Sequence, residues 1–205
     1  MRTYCKPSPI LKAGLAAAVV LAALTRLAGV PPAGGLSGTL TGPLAPKIQM
    51  VYIEKAGGNY APTAGVEINQ KNIKYTPHLS AVVAGSTVQF KSGDAQLHNV
   101  YLRQNDETLI NAAMPPGAPA VSIKLENSGP VKVSCSVHKE MGAWILVLQN
   151  PYFAEVKDGK FTIPALPPGK YIVRVWGEKL DDAALAKTFP LEVKTGGAGD
   201  FAIKL

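Results

Sequence analysis

Cysteine is nearly absent from this chain of 205 residues, which holds two, Cys5 and Cys135. A small fold stapled by several disulfides is therefore excluded. Histidine is as scarce, with three residues, and the chain has four methionines. Neither type forms a tract, which speaks against a repeat built to store soft metals. Aromatic residues make up 7% of the chain. No apolar run reaches the ~20 residues that a membrane-spanning helix needs. Also missing are a Cys-x-x-Cys pair for zinc, a glycine loop that cradles phosphate, a Ser/His/Asp arrangement and an internal repeat.

The N-terminus reads as an address. Arg2, Lys6 and Lys12 precede the apolar run Ala13 to Leu24, the order of a secretory signal peptide. We expect residues 1–33 to be this signal, cleaved between Ala28 and Leu36 or retained as an anchor, and the protein to be periplasmic. Cys5 precedes the apolar run, so it does not sit at a lipoprotein cleavage position. Arg2, Lys6, Lys12 and Arg26 supply four of the seven net positive charges, leaving +3 on the remainder. The remaining lysines are interspersed with acids, which gives no nucleic-acid footprint. Cys135 is then the single thiol of an exported chain, with no partner for a disulfide.

What is abundant is glycine (20), proline (17) and apolar residues (47%). That mixture predicts an all-β protein of short strands and tight turns. Pro31 to Gly38 reads as a flexible lead-in. Strands are expected within Thr39 to Glu54, at Val66 to Ile68, Leu79 to Val83, Thr87 to Lys91, His98 to Leu102, Val121 to Leu125, Val131 to Cys135 and Ala143 to Leu148. Further strands are expected at Phe161 to Ile163, Tyr171 to Trp176, Phe189 to Val193 and Phe201 to Leu205. Asp158-Gly159 marks a hairpin turn. The spacing suggests antiparallel β-sandwiches. Trp144 and Trp176 read as core, His78 as structural or surface, and Leu180 to Ala186 as one helical turn or loop.

One short run carries the chemistry. Cys135, His138 and Met141 follow the spacing Cys-x2-His-x2-Met at the end of an alternating strand, with Gly129-Pro130 before it and an apolar strand after it. His98 opens another strand upstream. Two imidazoles, a thiolate and a long axial thioether form the donor set of a mononuclear blue-copper site. Cu(II) and Cu(I) prefer different geometries, and such a set holds a compromise so that little rearranges on electron transfer.

Asp94 to Val100 (DAQLHNV) and Val133 to Val147 (VSCSVHKEMGAWILV) resemble the two ligand segments of the cupredoxin, or plastocyanin-like, family. The Cys-x2-His-x2-Met loop is most similar to the amicyanin type. The resemblance implies a Greek-key sandwich with one type 1 copper held by His98, Cys135, His138 and Met141. It implies that Asn99 ties the two ligand segments together through Ser136, outside the ligand set. Lys139 departs from the proline that usually follows this histidine, which puts the loop's rigidity in question but removes no ligand. Asn150 to Leu180 resembles the carboxypeptidase regulatory-like, transthyretin-type sandwich in its D-G-x-F-x-I and L-P-P-G-x-Y stretches, and Gly38 to Ile53 is similar to that module's first strands. The combination resembles bacterial plastocyanin-like proteins labelled methylamine-utilisation proteins.

These resemblances imply a nested layout: residues 36–64 and 150–205 as the regulatory-like sandwich and 66–149 as an inserted cupredoxin, with a tandem order as the alternative. The function they imply is a monomeric carrier of single electrons, not an enzyme, exchanging with a redox protein such as a cytochrome c or a periplasmic dehydrogenase. No nucleic acid and no membrane beyond the signal segment are expected. A copper-handling protein without fast electron transfer and a structural interaction module are the rivals.

Overall fold

The computed structural model describes residues 34–195 and 198–205. The signal segment expected at 1–33 lies outside the described residues, and no helix among those described is long and apolar enough to cross a membrane. The chain opens with β1 (Gly34–Thr41) and β2 (Met50–Ile53). Nine strands follow: β3 (Val66–Gln70), β4 (Tyr75–Thr76), β5 (Leu79–Val83), β6 (Ser86–Ser92), β7 (His98–Gln104), β8 (Glu107–Met114), β9 (Val121–Leu125), β10 (Gly129–Ser134) and β11 (Gly142–Leu148). The chain then runs through β12 (Phe153–Glu155), β13 (Lys160–Leu166), β14 (Gly169–Trp176), one helical turn α1 (Asp182–Leu185), β15 (Phe189–Val193) and β16 (Ala198–Lys204). The fold is all-β, as the composition predicts.

Strand pairing separates the chain into an inner and an outer sandwich. The inner one packs the sheet β5-β11-β10-β7-β8 on the sheet β4-β3-β6-β9. β6 shows why: Ser86, Val88 and Phe90 alternate inward while Thr87 and Lys91 face solvent, the period of a half-buried strand. Phe90, Val100, Leu102, Val131, Val133 and Ile145 fill that core, together with Cys135 and Met141. In the outer sandwich, β1 and β2 pair with strands from the far end of the chain: β13-β1-β16 forms one sheet and β12-β2-β14-β15 the other. Their shared core includes Leu36, Val51, Ile53, Phe161, Ile163, Val173, Val175 and Ile203.

Three readings of the sequence change. The pairings are not all antiparallel: β1 with β16, β3 with β6 and β5 with β11 run parallel. Each brings together strands joined by crossovers rather than hairpins, as parallel pairing requires. Residues 34–38, read as a flexible lead-in, are the first half of β1. The small residues there fit a close approach, because a Cβ on Gly38 would lie 2.3 Å from the Phe201 carbonyl oxygen and 2.4 Å from the Phe161 ring. β8 is an added strand with a single fully buried residue, Met114, at its end, which hides its period. The Asp158-Gly159 turn is present, with φ of 51° and 69° and paired Lys157–Lys160 backbone bonds of 2.9 Å.

The sandwiches meet along an apolar seam of Met50, Leu146, Leu148 and Trp176, with Trp144 packed against it. The two indoles meet edge to face at 5.4 Å.

Candidate metal centre

The site forms at one end of the inner sandwich. β10 lies between β11 and β7, with Ser134 paired to both Gly142 and Tyr101. The turn from β10 to β11 therefore carries Cys135, His138 and Met141 to the rim where β7 begins with His98. Backbone bonds hold the turn: Cys135 N–H donates to the Met141 carbonyl (3.2 Å) and Met141 N–H to the His138 carbonyl (3.1 Å).

Three donor groups converge. One ligand atom each from His98, Cys135 and His138 lies within 4.8 Å of the other two. Cys135 Sγ is 3.9 Å from His138 Nδ1, and the imidazole centroids are 5.0 Å apart. His98 and Cys135 are buried, and His138 is half-buried. Met141, the fourth expected ligand, is buried in the same core as Cys135.

His98 is prepared for a metal. Its Nε2 lies 2.8 Å from Asp94 Oδ2; an ionised carboxylate only accepts, so Nε2 carries the proton. In the neutral ring Nδ1 then keeps its lone pair, and it is buried without a hydrogen-bond partner. An unpaired buried acceptor costs about 1–3 kcal/mol, and a soft cation among these donors removes that cost. The donor set thus fits a thiolate-loving ion.

Asp94, which entered the sequence reading only as the first residue of the segment Asp94 to Val100, is a positioning residue. Its carboxylate accepts from the amides of Asn72 (2.8 Å) and Ile73 (3.2 Å) as well as from His98. Asn72 and Ile73 are the central residues of a two-residue turn closed by Lys71–Lys74 bonds, with φ of 55° and 58°. That conformation suits Asn and strains a β-branched Ile, so the carboxylate holds the turn as well as the ring. The Asn72 amide, chiefly, then the His98 and Ile73 bonds, hold the Asp94 carboxyl below its usual value. A depressed carboxyl stabilises the fold above the unfolded-state pKa and loses that contribution as pH falls through the folded value. Asp94→Ala is expected to lower metal affinity about 10–100-fold and to flatten the acid limb of a stability-versus-pH curve. Metal titration and urea unfolding between pH 6 and pH 3 check both.

Behind the ligands lies a polar brace. Asn99 Oδ1 accepts from the Ser136 amide (3.3 Å) and hydroxyl (3.0 Å), while its Nδ2 donates to Asn111 Oδ1 (2.7 Å) and the Ala112 carbonyl (3.1 Å). The Tyr75 hydroxyl faces the carbonyls of Asn99 (2.5 Å) and Ser134 (3.0 Å). Burial, and secondarily Cys135, push the Tyr75 phenol well above its usual range, so it stays a donor. Tyr75 and Asn111 gave no sequence signal. Their partners are mostly main-chain groups of distant strands.

No family model and no curated protein matches the chain. Solved structures do. A purple cupredoxin from Nitrosopumilus maritimus matches at 20% identity over 40% of this chain and 99% of its own, with a TM-score of 0.37. Amicyanin from Paracoccus versutus matches at 19% identity over 47% of this chain and 96% of its own, TM-score 0.37. A point mutant of amicyanin in its reduced state matches at 21% identity over 47% of this chain and 97% of its own, TM-score 0.37.

Proposed function

We propose that this protein is an exported type 1 copper protein that carries single electrons between redox partners. The observation that carries the reading is the His98–Cys135–His138 cluster, two of its members buried and one half-buried, with an unpartnered imidazole nitrogen on His98. His98 Nδ1, the Cys135 thiolate and the His138 ring would hold one copper, with the Met141 thioether as the fourth donor. Copper so bound supplies a one-electron couple. Asp94 fixes the His98 tautomer, Asn99 locks the two ligand segments, and the surrounding core excludes water. With every donor supplied by protein, no position is left for a substrate, so we infer a carrier and not an enzyme.

His138 is half-buried, and two exposed apolar side chains, Leu97 (46% exposed) and Val137 (48%), are each next in sequence to a histidine of the cluster. Exposed apolar side chains so close in sequence to the donors suit a redox protein such as a cytochrome c or a periplasmic dehydrogenase. We further propose that the inner sandwich is a cupredoxin inserted into a regulatory-like outer sandwich, which the pairing of β1 and β2 with β12–β16 supports.

The test is to add Cu(II) to the purified mature chain. An intense visible thiolate-to-copper band with reversible voltammetry is expected. A colourless complex sinks the blue-copper reading, and a blue but electrochemically sluggish one favours copper handling.

A further inference from the structure

We propose that the outer sandwich positions the ligand turn, with Glu178 acting through the His78 ring on the carbonyl of Gly142. The inference rests on the metal-site reading above, and its loop-bracing half stands on geometry alone. Glu178 follows β14, in the outer sandwich. His78 lies between β4 and β5, in the inner one. His78 Nε2 is 2.9 Å from Glu178 Oε2, and Nδ1 is 3.0 Å from the Gly142 carbonyl oxygen. The His78 carbonyl in turn accepts from the Trp144 amide at 2.8 Å. Gly142 is the residue after Met141, so the bridge grips the chain where the ligand turn ends.

Both ends of the bridge are anchored. The Glu178 amide donates to Gln49 Oε1 (2.9 Å), and the Gln49 amide to the Trp176 carbonyl (2.9 Å), which fixes Glu178 to the β2–β14 pair. The His78 hydrogen bond is the main reason the Glu178 carboxyl titrates below its usual value, with a smaller contribution from Trp144. The pair lines a cavity of about 290 Å³ that Glu140, Met141 and Gly142 also line. The links from the outer sandwich to this end of the turn all meet at Glu178: the hydrogen bond to His78 and the weaker one from Trp144. The turn's own closing bonds, Cys135 N–H to Met141 and Met141 N–H to His138, sit directly upstream of the gripped carbonyl. Slack at Gly142 is therefore passed to Met141 and Cys135.

The experiment uses the full mature chain. In Glu178→Ala, copper loss to a chelator is expected to speed up about tenfold, the lower end for losing an outer partner of a ligand, and the relative intensities of the thiolate bands change. Metal-free, the amides of Cys135 and Met141 exchange about tenfold faster by NMR. His78→Ala has the same effects, and the double variant is no worse than either single one. Glu178→Gln keeps near-normal behaviour, because its amide can donate to a ring nitrogen that carries no proton. Leu148→Ala, which loosens the apolar seam, lowers Tm but leaves spectrum and exchange unchanged. The inference is overturned if Glu178→Ala leaves exchange at Cys135 and Met141 as in the parent. Additive effects of the two alanine substitutions, or a Leu148→Ala spectrum altered as much, overturn it too. A colourless parent with faster exchange in Glu178→Ala would sink the copper reading and uphold the brace.

Discussion

Cys135→Ser is expected to abolish the intense visible band entirely and to weaken copper binding by more than the roughly 10–100-fold that loss of an outer-sphere partner brings. A hydroxyl is a hard, weakly acidic donor that stays protonated where a thiol beside a metal ionises. The two imidazoles would remain, so some Cu(II) binding persists without the colour. Cys135 is 5% exposed and its sulfur meets only His138 among the described hydrogen-bond partners. The substitution thus changes chemistry more than packing. Far-UV dichroism and thermal unfolding of the metal-free variant separate loss of the ligand from loss of the fold. A Cys135→Ser variant that kept the full band would remove the thiolate from the centre and with it the proposed function.

Gly177→Ala is expected to cost about 3 kcal/mol or more, in the range of overpacking at a site that cannot relax, and to lower Tm by about 6–12 °C. A Cβ there would stand 1.9 Å from the Lys47 carbonyl oxygen and 3.0 Å from its carbonyl carbon. Both are backbone atoms, held because the next turn bonds Ile48 N–H to Ala45 and Gln49 N–H to Trp176. Gly57→Ala is the matched control: nothing lies within 4 Å of its Cβ position, and the change is expected to be neutral or stabilising by about 0.4–1 kcal/mol. Urea unfolding of the two variants beside the parent checks the contrast. Equal stabilities would refute the close approach.

The site was readable where its residues are close in sequence. Cys135, His138 and Met141 share one turn, the strand before it alternates and the strand after it is a continuous apolar run, so local spacing was enough to group them. His98 was readable from its place at the start of a strand, and Asn99 only through the resemblance of the segment around it. Asp94 is four residues before His98, yet its partners Asn72 and Ile73 come from another hairpin, and no periodicity marks that meeting. His78 read as structural or surface from its place after Pro77 and before an apolar strand; its contact with Glu178, 100 positions away, leaves no local mark in the sequence. β1 escaped in part for the opposite reason. Its glycines look like slack in a sequence, but they are what lets Phe161 and the Phe201 carbonyl come close.

The order of pairing also governs how the chain can assemble. Asn150 Nδ2 donates to the Ile53 carbonyl across 97 positions, and Ile53 N–H donates to the Tyr152 carbonyl. Closing a flexible loop of that length costs about 4 kcal/mol of chain entropy. Once β3–β11 have condensed, that loop is already closed and its two ends stand side by side, so the outer strands β1 and β2 find β12–β16 as near neighbours. The outer sandwich therefore borrows its cooperativity from the inner one. By linkage, the proposed ion at the ligand turn would raise the resistance to unfolding of outer strands that supply none of its donors. Stripping the ion would expose those same strands to proteases first at the outer sheets, where the pairing depends on a closure made elsewhere.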